Sequence, residues 1–151
     1  MDAVLLAVLV LGADEEPRGK LDSMLVVKDL QGGFAGLTGK VWTVDKDGSW
    51  TVGDQGPRAV VKVTGKGKLG AAALGKLAAA VKKYGAGTLK KAGKAPGANP
   101  HTVTVSYGKN EATLDLDTGA DLPAADEKEM AGRFAGIVAA VKEAVGKAGK
   151  K

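Results

Sequence analysis

Val41–Val52 reads VWTVDKDGSWTV, and the placing of its apolar residues decides what kind of fold the chain can build. Trp42 and Val44 alternate with Thr43, and Trp50 and Val52 alternate with Thr51, which is the period of a half-buried β-strand. A three-residue loop, Lys46-Asp47-Gly48, sets Val44 opposite Trp50 and Trp42 opposite Val52, all on one side, with Gly48 supplying the left-handed residue that such loops need. A two-residue loop would pair these apolar residues with the opposite set, so the pattern selects the longer turn. The segment is therefore a hairpin with one apolar face that something must cover.

Outward from the hairpin, the same reading continues in both directions. Met24–Asp29 (MLVVKD) is a strand rich in β-branched residues, and it runs into a glycine loop, Gln31–Gly36 (QGGFAG). Ala59–Val63 (AVVKV) is the next strand on the other side. The period then changes: over Leu69–Tyr84, residues Leu74, Leu77, Val81 and Tyr84 fall on one helical stripe, and Gly85 or Gly87 ends the helix. Gly85–Pro100, rich in glycine and lysine, reads as a long surface loop. His101–Asp117 is a second hairpin around Gly108–Glu111, with Val103, Val105 and Tyr107 expected opposite Leu116, Leu114 and Ala112. After Pro123 and the acids Asp126, Glu127 and Glu129, a helix to about Lys147 buries Met130, Phe134, Ile137, Val138, Val141 and Val145. Strands with one apolar face and two amphipathic helices imply an α+β domain: an antiparallel sheet of about six strands with both helices packed on one face. That domain is expected over 21–147, with a basic tail at 148–151.

The most apolar run, AVLLAVLVLGA at residues 3 to 13, would cross only about half of a hydrocarbon core, so it is not a transmembrane helix. Small residues Gly12 and Ala13 followed by the charged DEEPRGK fit the end of a signal peptide, although Asp2 stands where Lys or Arg is usual. Residues 1–20 are accordingly expected to be an export segment with a charged linker, and the mature protein to be secreted or periplasmic.

The chain of 151 residues has no cysteine, which removes disulfides, thiolate metal sites and cysteine nucleophiles from consideration. Between Gln55 and Asn110 there is no Asp or Glu, only Arg58 and ten lysines, so a positive face could meet an anionic polymer. Specific nucleic-acid recognition needs arginine forks and exposed aromatics. The basic segment has one arginine, and its two tyrosines fall on core stripes, so only weak polyanion binding is expected.

Gly70–Leu77 (GAAALGKL) has phosphate-loop spacing as far as Lys76, but Leu77 replaces the magnesium-binding Ser or Thr and the stretch lies in a helix. His101 is the single histidine, too few for a zinc site. Asp115 and Asp117 share one side of a strand, where such pairs normally face solvent, and no Gly-x-Ser-x-Gly elbow is present. The sequence thus offers no catalytic constellation, metal site or cofactor motif, and points to a binding protein instead of an enzyme.

The order LVVKDLQGGFAGLTGKVWTV resembles the emfourin-like family, small α+β proteins named for an inhibitor of thermolysin-like metalloproteases. Its strand, Gly-Gly-Phe-Ala-Gly and strand carry the resemblance. A helix after the early strands, a late strand of alternating apolar residues, and DLP leading into a C-terminal helix are similar as well. The resemblance spans Leu25 to about Val145, while the tryptophan hairpin and the lysine-rich 85–100 stretch depart from it. It implies a protein partner, a metalloprotease, contacted through Gly32, Gly33, Phe34, Ala35 and Gly36. Glycines permit positive φ and close backbone approach, so Phe34 either folds back as a cap on the core or stands out as an anchor for a partner's pocket. The alternative function is an envelope-associated module that binds anionic polymers through its lysine-rich face.

Overall fold

A computed structural model describes residues 20–94 and 98–149. Apart from Lys20, the export segment expected at 1–20 lies outside the described residues, as do 95–97 and the last two lysines of the tail. The described chain runs β1 (Leu25–Gly33), β2 (Gly36–Val44), β3 (Ser49–Gln55), β4 (Val61–Lys68), α1 (Ala71–Lys83), a 3₁₀ turn (Ala86–Thr88), β5 (Ala92–Gly93), β6 (His101–Tyr107), β7 (Asn110–Leu116) and α2 (Met130–Ala148). One sheet holds all the strands in the order β4-β3-β2-β1-β6-β7-β5. Every pairing is antiparallel except that of β5, which lies parallel to β7. The α+β class stands, but the sheet has seven strands and is mixed, where about six antiparallel ones were expected.

The tryptophan hairpin forms as its alternation requires. Trp42 pairs with Val52 and Val44 with Trp50. Asp45 N–H donates to Ser49 O, and Gly48 takes a φ of 93°, the positive value the loop needs. At the tip, Asp47 accepts the Ser49 backbone N–H at 2.9 Å and the Ser49 hydroxyl at 3.1 Å. The backbone donor first, then the hydroxyl and the nearby Lys68, hold its carboxyl below the ordinary 3.8. A group with a depressed folded pKa stabilises the fold above its unfolded value and loses that contribution as pH falls through the folded one. Ser49→Ala should therefore move the Asp47 titration, followed by carboxyl NMR shifts, part of the way back up. The backbone donor remains in the variant, so a complete return would contradict this account.

One core joins the covered face of the sheet to both helices. It includes Leu25, Val27, Trp42, Val44, Val103, Val105 and Leu114 from the strands. Leu74, Leu77 and Val81 come from α1, and Phe134, Ile137, Val138, Val141 and Val145 from α2. The helices meet closely because α2 has Gly136 at the contact; a Cβ there would meet the Tyr84 ring. Gly85, with φ 65°, ends α1, as a left-handed C-terminal residue does. No helix among the described residues is long and apolar enough to cross a membrane.

Three local expectations need correction. The strand read at Ala59–Val63 is β4 at Val61–Lys68, which continues through Gly65 and Gly67: Trp50 occupies the space a Gly67 side chain would take, and Val52 crowds that of Gly65. The β6–β7 loop is two residues, not four: Gly108 with φ 62° makes the tight turn, and Val103 and Val105 pair with Leu114 and Ala112. A shift of two residues keeps every side chain on its face, so the apolar face was right and the partners were wrong. Within 85–100, Ala86 and Leu89 are buried and β5 pairs with β7, so this stretch is partly built into the sheet.

Candidate functional site

The β1–β2 hairpin runs to its tip without a slack loop. Gly33 pairs with Gly36, leaving only Phe34 and Ala35 between the strands, and Gly36 takes the positive φ of 111°. Sequence reasoning ended the strand at Asp29; the ladder continues for another four residues on each side. Phe34 stands clear of the protein at 111 % relative exposure, so the ring does not cap the core. Gly33, Ala35 and Gly36 are exposed too, and Gly32 is half-buried.

The base of this finger is held on both sides. Gly32 N–H donates to Pro100 O at 2.7 Å, and a Cβ on Gly32 would collide with the Pro100 ring. On the other strand, a Cβ on Gly36 would lie 3.1 Å from Pro57 O, in the β3–β4 turn. Glycine at both positions lets two neighbouring loops pack against the finger's backbone. The consequence is a short aromatic tip on an ordered stem.

Beneath the finger, on the covered face of the sheet, Asp29, His101 and Lys142 come together. Asp29 is two residues on from Val27 and so points to the same face as the core, where an acid needs partners. His101 Nε2 contacts Asp29 Oδ1 and its Nδ1 contacts Ala120 O. Lys142 reaches Asp29 Oδ2 at 3.4 Å and lies 5.4 Å from the centroid of the Trp42 ring. The carboxylate and the carbonyl both accept, so both contacts are hydrogen bonds when each ring nitrogen carries a proton. With both nitrogens occupied, the imidazole has none left for a substrate. The cluster ties β1, β6, the 117–125 segment and α2 together under the finger. Sequence reasoning considered His101 only as a lone zinc ligand and did not single out Asp29; the signal was an acid in core register on an otherwise apolar strand.

The other candidates are dispersed. Asp115 is buried and accepts the Thr102 hydroxyl at 3.4 Å, whereas Asp117 lies beyond the end of β7 and is exposed, so the two do not share a cleft. The phosphate-loop-like stretch runs from the N-cap of α1, Gly70, into the helix, and Leu77, where a magnesium-binding hydroxyl would be needed, is buried in the core. Among the described residues no three His, Cys, Asp or Glu side chains are placed to hold a metal ion. The basic segment is divided by the topology. Lys62, Lys66 and Lys68 lie on β4 at one edge of the sheet, Lys90, Lys91 and Lys94 flank β5 at the opposite edge, and Lys76, Lys82 and Lys83 are on α1. Between α1 and α2 lies an alanine-lined groove of about 580 Å³ with Lys76, Lys83 and Lys147 at its rim.

No family model matches the chain, and no curated protein matches it.

Proposed function

We propose that the protein is a small binding protein which inhibits a thermolysin-like metalloprotease by presenting the Gly32–Gly36 finger to the enzyme's cleft. The observation that carries this reading is the complete exposure of Phe34 at the tip of a two-residue turn. A large apolar ring held in water is costly unless a partner covers it, and an aromatic anchor buried in a pocket contributes about 2 kcal/mol or more to binding. Pairing up to Gly33 and Gly36 keeps the tip ordered before contact, which lowers the entropic cost of binding. The reading places the protein outside the cytoplasm, in keeping with the export segment expected at residues 1–20.

Titration against a panel of thermolysin-like enzymes tests it. The wild type should inhibit at least one of them, and Phe34→Ala should weaken that inhibition by about 30-fold or more. The ring touches no core, so the variant should keep its thermal midpoint. Full protease activity at high micromolar wild-type protein rejects the proposal, and so does equal inhibition by both proteins.

A further inference from the structure

We infer that the outer edge of β4 is a docking site for an extended acidic peptide segment, which adds to the sheet as an eighth strand. Among the described residues nothing pairs with that edge, because β4 ends the strand order. The hydrogen bonds at its two ends fix which backbone groups are free. Val60 O accepts from Gly56 N–H, and Leu69 N–H donates to Gly48 O, so both residues turn their peptide groups toward β3. Groups alternate along an antiparallel strand, and the register slips between Val52 and Gly53. Val61 and Val63 on one side of the slip, and Lys66 and Lys68 on the other, therefore direct their N–H and C=O groups outward.

The same four residues project their side chains onto the face of the sheet opposite the helices, since they pair with Gln55, Gly53, Thr51 and Ser49, which alternate with the core residues of β3. Val63 is 53 % exposed, and Val60, just before the strand, is 68 % exposed. An added strand would thus meet two valines at one end and two ammonium groups at the other. Lys62 and Arg58 add positive charge nearby, and the chain has no carboxylate from Gln55 to Asn110; of the acids just before that stretch, Asp54 is paired with Lys40 at 2.7 Å and Asp47 lies 3.9 Å from Lys68, leaving Lys66 as the ammonium without an ion pair to either.

Charge decides the occupant. A second copy pairing antiparallel through β4 in full overlap would set Lys66 and Lys68 opposite Val63 and Val61, so neither ammonium would gain a carboxylate, and two edges of like charge would be brought together, which opposes association. A strand with carboxylates opposite Lys66 and Lys68 and apolar residues opposite Val61 and Val63 gains where the self-pair loses. Backbone pairing gives such a contact its affinity, and the alternate side chains give it direction.

The probe is a fluorescein-labelled peptide, Glu-Thr-Glu-Thr-Val-Thr-Val, followed by anisotropy with the full chain. It should bind, and more weakly at high salt. A version with lysine for glutamate should bind at least about 10-fold more weakly, as should the probe against Lys66→Glu/Lys68→Glu. Val63→Pro removes an outward N–H and no bond to β3, so the fold tolerates it, as circular dichroism should confirm, while peptide affinity falls about 10-fold or more. Phe34→Ala should change nothing, which separates this site from the finger. Three results overturn the inference: no binding of the probe at millimolar peptide, unchanged affinity with folded Val63→Pro, or concentration-dependent self-association that Lys66→Glu strengthens.

Discussion

Phe134→Ala is expected to lower the unfolding free energy by about 3–5 kcal/mol, as removal of a fully buried aromatic does. Phe134 heads the fully buried side chains by volume, and it sits on the α2 stripe facing the sheet. Its loss removes apolar contact and leaves a cavity that strands on one side and a helix on the other cannot close together, because the sheet is held by its ladders. A domain of this kind has about 5–15 kcal/mol in total, so the variant should lose a large share of its stability. At roughly 2–4 °C per kcal/mol, the midpoint should fall by about 6–20 °C. Urea denaturation separates the two phenylalanines. Phe134→Ala should lower the transition midpoint with the slope unchanged, while Phe34→Ala, at a fully exposed position, should stay within about 0.5 kcal/mol of wild type. A loss below about 1 kcal/mol for Phe134→Ala would mean that α2 does not cover the sheet as described.

The elements that could be read from sequence are those whose side chains alternate without interruption. Val41–Val52 gave its register because only one loop length puts both tryptophans on the valine face, and that register is the observed one. The α2 stripe was legible for the same reason: its apolar residues recur at helical spacing, and all but the half-buried Met130 are in the core. What composition concealed is β4. A Thr-Gly-Lys-Gly-Lys ending looks like a loop, yet a Cβ on Gly67 would lie 2.8 Å from the Trp50 ring, so this glycine lets an indole lie against the strand. That packing also leaves Trp50 Nε1 buried without a hydrogen-bond partner. β5 was missed for a related reason. A Cβ on Gly93 would collide with the Asp115 backbone, so this short strand depends on a glycine that reads as a breaker.

The site was legible in its parts and not in its assembly. Gly32–Gly36 announced a turn with an aromatic in it, but whether Phe34 faced inward or outward depended on how far the ladder ran, and no local pattern fixes that. The Asp29–His101 contact joins residues 72 apart in the chain, and Lys142 is 113 from Asp29. Periodicity could place Asp29 on the covered face, whereas its partners follow only from the order of β1 and β6 in the sheet.

Gly39→Ala carries the other large effect, and it connects the stem of the finger to the fold. Gly39, on β2 four residues beyond the turn, pairs with Leu30 of β1, and a Cβ there would strike Asp29 O and stand 3.0 Å from Leu30 Cα. Both obstacles are backbone atoms of the neighbouring strand, so no rotamer change relieves them and the two strands must move apart. Forcing an extra methyl into a packed position costs about 1–3 kcal/mol, and the upper end applies here because ladder bonds must lengthen as well. The damage should be directional. Asp29 leads to His101 and Lys142, and the residues beyond Leu30 form the stem, so hydrogen exchange should accelerate from Leu30 to Gly39 while α2 amides keep their relative protection. If the finger is the contact for a protease, Gly39→Ala should also weaken inhibition with Phe34 intact, because the ring must then be ordered at the moment of binding. Stability within about 0.5 kcal/mol of wild type would show that β1 and β2 do not approach as closely at this pair as the structure has them.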